Sequence, residues 1–422
     1  MPPTDEVIAG SAPPVQRGDA RVVALVSAGH FFSHFYLLCL PPLFIFIQQE
    51  FQVSYVALGL AATAYNLIGG LIQAPVGFLV DRFGARLPLL LGFGVNALAI
   101  LLIGFVDVYG FLLLLAVLAG IGNSVFHPAD YAIMSGAVDE KRVGRAFGIH
   151  TFSGFLGGSI APLTMGMLAA FWNWRIALIV TGAVGLAVLL AVALSSGALA
   201  QASPGRRGAA RMPPADGSAA QGVKTGWSLL LTPAMLIFFL LFCVITFTTS
   251  GVYVFTINAL IDLRGTGYVV ANAALTGFLF ASALGVLLGG FLADRFGRHD
   301  MVATVFLLVA AGAIVLPVFF DLPPVALVAA MAVSGLAFGT VQPARDMMVR
   351  AITPPGEMGK TFGFLSVGMA VGASLAPLLF GWLMDHGRPE GVFIGAAVFM
   401  LLIIVTALAG RLVGRRTGLR RH

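Results

Sequence analysis

His30, Ser33 and His34 are spaced i, i+3 and i+4, so they share one face of a helix. His127 and Asp130 are three residues apart and flank Pro128; 215 residues later the same positions hold Gln342, Pro343 and Arg345. Thr246, Thr249, Ser250 and Tyr253 mark a polar stripe at i, i+3, i+4 and i+7 on an otherwise apolar stretch. All of these residues lie inside long apolar runs, where an ionisable group is costly and is a functional candidate by default. The chemistry available is proton exchange by imidazole near neutral pH or by a buried carboxylate, and capture of a carboxylate or phosphate by a guanidinium. Substrate contact is expected from His30, His34, Tyr36, His127, Thr249, Tyr253, Gln342 and Arg345, and proton coupling from Asp130, His34 and His127. Two readings of Asp130 and Arg345 stand together. They form a salt bridge that gates the path, or Asp130 carries a coupling proton while Arg345 holds an anionic group of the substrate. Asn66, His150 and Asn272 read as helix-packing groups before ligands.

No metal site is expected, because no carboxylate or cysteine stands at ligand spacing from His30 and His34. Cys39 and Cys243 each sit within an apolar run and read as packing residues. No nucleophile and base are paired as an enzyme would need, and no G-x4-G-K-[ST] loop suggests an ATP motor or nucleotide cofactor.

The elements that must hold these side chains are membrane helices. The chain of 422 residues is 59% hydrophobic and 10% charged, against about 25% charged in a soluble domain. About twelve apolar runs reach spanning length, near 22–47, 55–79, 87–106, 111–134, 143–170, 174–197, 229–257, 268–292, 300–320, 324–350, 359–384 and 390–412. Runs this long are helices, since barrel strands are shorter and alternate. The fold class is therefore all-α membrane protein. Its plan is a Pro-containing tail (1–21), a six-helix bundle (22–197), a polar linker (198–228), a second six-helix bundle (229–412) and a basic tail (413–422).

The two bundles are duplicates. Gly77 to Gly84 reads G-F-L-V-D-R-F-G and returns as G-F-L-A-D-R-F-G at Gly290 to Gly297. At an offset of 215, Pro128-Ala129 matches Pro343-Ala344, Phe147-Gly148 matches Phe362-Gly363 and Ala161-Pro162 matches Ala376-Pro377. Parallel six-helix repeats are one of the transporter architectures. With both termini on the cytoplasmic face, 20 of the 24 basic residues fall on that side, as the positive-inside rule asks. The net charge of +6 is thereby explained by topology, and no nucleic-acid partner is expected. The expectation is a multi-pass protein of the inner (cytoplasmic) membrane, monomeric, whose partners are lipid, protons and a small-molecule substrate.

The twin loop resembles the signature of the major facilitator superfamily, G-x-L-a-D-r-x-G-r-k, and the likeness extends over twelve spans. The resemblance implies alternating access about a central site lined by spans one, four, seven and ten, the helices that carry the polar residues above. It also implies a cytoplasmic gate built from Asp81, Arg82, Asp294 and Arg295, with Asp81 facing the helix start near Gly359 and Asp294 the start near Gly144; Asp130 and Arg345 join the gate on the first reading. The second loop departs from the pattern at His299 and Asp300. Gly29-His30-Phe31, Leu71 to Gly77 and Ser124 to Ala129 are similar to the fosmidomycin-resistance exporters. That likeness implies proton-driven export of a small organic compound, although His34 and Tyr36 stand where that group has an acid. Uptake of an organic anion bound by Arg345 and histidines is the alternative. Gly154-x3-Gly158-x3-Pro162-x3-Gly166 resembles an antiporter motif or is a close-packing row.

Overall fold

The computed structural model describes residues 17–139, 142–200, 227–296, 299–353 and 358–416. Among them twelve helices are long and apolar enough to cross a membrane. Spans 1 to 6 are Asp19–Phe51, Tyr55–Phe83, Arg86–Ile103, Tyr109–Ala137, Arg145–Phe171 and Trp174–Ser195. Spans 7 to 12 are Pro233–Arg264, Tyr268–Leu292, Asp300–Phe319, Pro324–Arg350, Thr361–Asp385 and Glu390–Ala409. They form two six-helix bundles. Most of the linker and both chain ends, expected as polar segments, lie outside the described residues.

Local sequence accounts for the breaks. Span 1 is helical over Arg17–Leu37, turns through Pro41–Leu43 and resumes at Phe44. Span 4 is interrupted at Ser124 and Val125, because Pro128 has no N–H to give the Ser124 carbonyl. Span 10 runs unbroken through the equivalent Pro343. Ser54, Asn173 and Thr232 cap spans 2, 6 and 7 by accepting the N–H of Ala57, Ile176 and Met235. Leu91, Leu98, Leu190, Leu194 and Val405 point outward, the solvation a hydrocarbon layer requires.

Within each half, small residues set the helix spacing. A Cβ on Gly157 would strike the Phe31 carbonyl, and one on Gly372 the Cys243 carbonyl. These two contacts relate span 5 to span 11 by 215 residues and span 1 to span 7 by 212.

Between the halves, span 2 packs against span 11 and span 5 against span 8, each pair antiparallel. Gly59 abuts Pro377, Gly70 abuts Ala370, and the Thr63 hydroxyl donates to the Ser374 carbonyl at 2.7 Å. On the other pair Gly166 abuts Asn272, whose amide donates to the Pro162 carbonyl at 2.8 Å. Carrying these registers onward sets Gly77 opposite Gly363 and Gly148 opposite Gly290. There, no atom lies within 4 Å of where a Cβ would sit on any of the four. The halves therefore meet at the end holding Tyr55 and Asp385 and stand apart at the end holding the D-R-F-G loops.

Candidate functional site

In the N-terminal half, Asp130 has no exposed surface. Its Oδ2 lies 2.9 Å from His150 Nε2 on span 5 and 3.4 Å from His30 Nδ1 on span 1. His30 stacks on His150 with centroids 3.7 Å apart and planes at 22°. The His34 ring meets His30 edge-on at 4.7 Å, and the His127 ring does so at 5.2 Å. Tyr131 stacks on His127 at 6.0 Å and carries the cluster to the surface, being 47% exposed. Four imidazoles and one carboxylate thus form a continuous group across spans 1, 4 and 5. Gly154 makes it possible: a Cβ there would lie 2.7 Å from His30 Nε2 and 2.9 Å from His34 Cδ2. Asp130 Oδ1 and the Nδ1 atoms of His30, His127 and His150 are buried without a hydrogen-bond partner. The cluster therefore has unused capacity to accept or give protons.

His150 was expected as a packing group and is instead the closest partner of Asp130. Its distance from Asp130 along the chain hides this, because the two helices are joined only through a loop. Among the described residues, Asp130 pairs within 4.0 Å with imidazoles and Arg345 with Asp346, so the salt bridge of the gating reading is not made in this structure. Arg345 Nη2 sits 2.8 Å from Asp346 Oδ1, and its guanidinium lies over the Phe242 ring at 4.3 Å. It borders a narrow cleft with Leu241, Ile245, Thr304, Val341 and Ile403, inside the C-terminal half.

The duplication makes the contrast legible. By the helix offsets above, His30 corresponds to Phe242, His34 to Thr246, His127 to Gln342, Asp130 to Arg345 and His150 to Leu365. One half holds a buried carboxylate hydrogen-bonded to one imidazole, with three more imidazoles packed around the pair. The other holds a cation on an aromatic face, a contact that needs no proton.

Other expected ligands are placed differently. Tyr36 is turned into the N-terminal bundle, 1% exposed, with its hydroxyl donating to the Thr181 carbonyl at 3.1 Å and its ring filling the space left by Gly185. Its hydroxyl is thus taken up by span 6. Thr246 and Ser250 donate across to span 11, to Met369 O and Ala373 O, both at 2.9 Å. Thr249 bonds carbonyls of its own helix, and Tyr253 packs edge-on to Phe278. The seventh-span stripe thus faces protein on part of its length. Gln342 is half-buried.

At the D-R-F-G end, Asp81, Arg82 and Arg295 are exposed, and among the described residues no carboxylate–cation contact within 4.0 Å involves them. The side chain of Asp294 lies outside the described residues. In the span 5 row, Gly154, Gly158 and Gly166 all abut neighbouring helices.

The atoms of His30, Asp130 and His150 lie within 4.8 Å of one another, close enough to raise a metal site that the sequence did not suggest. Stacked rings direct their in-plane lone pairs along near-parallel planes. They cannot both point at one ion at the roughly 2.0–2.1 Å that a histidine–zinc bond requires. The arrangement suits shared protons better.

The family model described as Major Facilitator Superfamily matches residues 26–272 and 249–421. The fosmidomycin resistance protein of Escherichia coli (strain K12) is 26% identical over 388 residues, covering 91% of each chain. The uncharacterized MFS-type transporter YfnC of Bacillus subtilis (strain 168) is 25% identical over 401 residues, covering 92% of each. Among solved structures, a bacterial homolog of the human lysosomal transporter Spinster, inward-facing and unoccupied, aligns with a TM-score of 0.77 at 16% identity. It covers 98% of this chain and 100% of its own.

Proposed function

The chain belongs to the major facilitator superfamily, and from that premise we propose that it is a proton-coupled secondary transporter exporting a small organic drug or metabolite by alternating access. The observation that carries the reading is the buried Asp130–His150–His30 group, which among the described residues has no lysine or arginine partner within 4.0 Å. A fixed cation would hold the carboxylate charged throughout the cycle. Imidazole partners let charge and proton move together, so the network can be neutral with Asp130 ionised beside one protonated ring, or with both neutral. A further proton leaves net positive charge at membrane depth, which is costly. That cost falls when the site opens to water, so the further proton is taken up on opening and lost when the site closes.

The open D-R-F-G end is the cytoplasmic end in this reading, in keeping with the basic residues there. The membrane is the inner membrane, and the polypeptide acts alone. Export is favoured by the likeness to a protein named for fosmidomycin resistance. A second reading is uptake of an organic anion. It is supported by the excess of imidazoles over carboxylates in the cluster, since protonated rings would attract an anion toward it.

Reconstitution in liposomes with an imposed pH gradient tests both, with fosmidomycin-like compounds, lipophilic drugs and organic anions as substrates. Asp130→Asn and His150→Ala are expected to abolish gradient-driven movement while leaving exchange down a substrate gradient. Unchanged gradient-driven transport in Asp130→Asn and in Ala variants of all four histidines would overturn proton coupling here.

A further inference from the structure

At the end where the halves meet, Asp385 is the last residue of span 11. Its Oδ1 accepts the Tyr55 N–H at 2.6 Å and its Oδ2 accepts the Val56 N–H at 2.9 Å, the first two amides of span 2 in the opposite half. The Tyr55 hydroxyl donates at 2.6 Å to Asp262 Oδ2 near the end of span 7. Its ring packs edge-on to Phe255, also on span 7. Two carboxylates of the C-terminal half thus hold one residue of the N-terminal half. A carboxylate at a helix N-terminus is favoured by the unpaired N–H groups and by the helix dipole.

The antiparallel register then says what lies at the far end of the same helix pair. Tyr55 stands opposite Asp385 and Gly70 opposite Ala370; carried on unchanged, the register sets Asp81, near the end of span 2, opposite Gly359, near the start of span 11. Each helix of the pair therefore ends in an aspartate positioned for the other's first turn. One is engaged and the other is exposed.

The second helix pair lacks this device. The counterpart of Asp385 in span 5 is Ala170, and that of Tyr55 is Tyr268. The counterpart of Asp262 is Glu50, which is occupied by Arg175 at 2.6 Å and by the Trp174 indole at 2.6 Å. Tyr268 donates instead to the Pro42 carbonyl at 2.9 Å.

We propose that Asp385, with Asp262 and Tyr55, is a latch at the end opposite the D-R-F-G loops. It alternates with Asp81 on the same helix pair, so that one is made as the other is broken. The inference assumes the alternating halves of the transporter reading but neither its proton nor its substrate.

The test is a distance measurement between spin labels at Val108 and Phe320. These residues are 56% and 58% exposed in the loops at the latched end, one in each half. The background carries Cys39→Ala and Cys243→Ala, and the protein is in nanodiscs without substrate. Loss of a helix cap shifts an equilibrium about 2- to 30-fold. Asp385→Ala is expected to move the distribution toward longer separations by that factor. Tyr55→Phe, which keeps the ring packing, should shift it in the same direction by less. Asp321→Ala, an exposed acid at the same end outside the latch, should leave it unchanged. A wild-type distribution in both Asp385→Ala and Tyr55→Phe overturns the latch, as does an equal shift in Asp321→Ala. Because no substrate is present, failure of the proton-coupling proposal leaves this measurement standing, and the converse holds.

Discussion

Replacing His150 by leucine copies into the N-terminal half the residue that the duplication places there in the C-terminal half, Leu365. The change removes a 2.9 Å hydrogen bond to a carboxylate when both groups are at most 1% exposed. Breaking a buried pair by deleting one partner costs about 3–5 kcal/mol, most of it from the stranded charge. His30 stays at 3.4 Å and takes over part of the load, so about 2–3 kcal/mol is the expected loss. The double variant is the sharper case. With Asp130→Asn added, no charge is stranded, and the deficit should fall to about 1 kcal/mol, the value of one neutral hydrogen bond. Asp130→Asn alone should cost less than His150→Leu, since an amide still bonds imidazole. The assay is unfolding free energy from denaturant titration in mixed micelles for all four chains of the cycle, which isolates the pair term. The idea is refuted if the double variant is as unstable as His150→Leu, because the imidazole would then be contributing by its stack on His30 rather than by satisfying the carboxylate.

The other predictions use the same geometry. Gly154→Val should abolish proton-driven transport with wild-type folding yield, because the intruding groups meet His30 and His34 side chains that can move; Gly157→Val, aimed at the Phe31 backbone, should instead fail at folding, as yield and size-exclusion profile would show. Tyr36→Phe should cost about 1 kcal/mol of stability and leave the KM for substrate unchanged, since its hydroxyl serves only Thr181. Gly363→Leu faces Gly77 across the open end, so it should hold that end open and lower exchange in liposomes without changing substrate affinity on the open side. The charge exchange Asp130→Arg with Arg345→Asp should show no rescue of stability over the single changes, because each residue has other partners here.

The sequence by itself determined the class of this protein. Apolar runs of spanning length, the D-R-F-G repeat and the asymmetric basic residues are properties of local composition and spacing, and hydrocarbon solvation turns them directly into helices. It also showed which helices carry polar groups, because an ionisable residue in an apolar run is conspicuous wherever it lies. Partners were another matter. Asp130 and Arg345 occupy equivalent positions with opposite charges, which suggested that they pair. Equivalence in a duplicated chain means the same place in different halves, not proximity. Asp130 found His150, and Arg345 found the residue beside it and the face of Phe242. Tyr36 shares the first span with His30 and His34 but points a different way around the helix, into span 6. Nothing in the sequence singled out Asp385. Only the packing of span 11 along span 2 brought it to the amides of Tyr55 and Val56. Side-chain partnership across helices depends on rotation and register, which tertiary packing sets and which no spacing along one helix encodes.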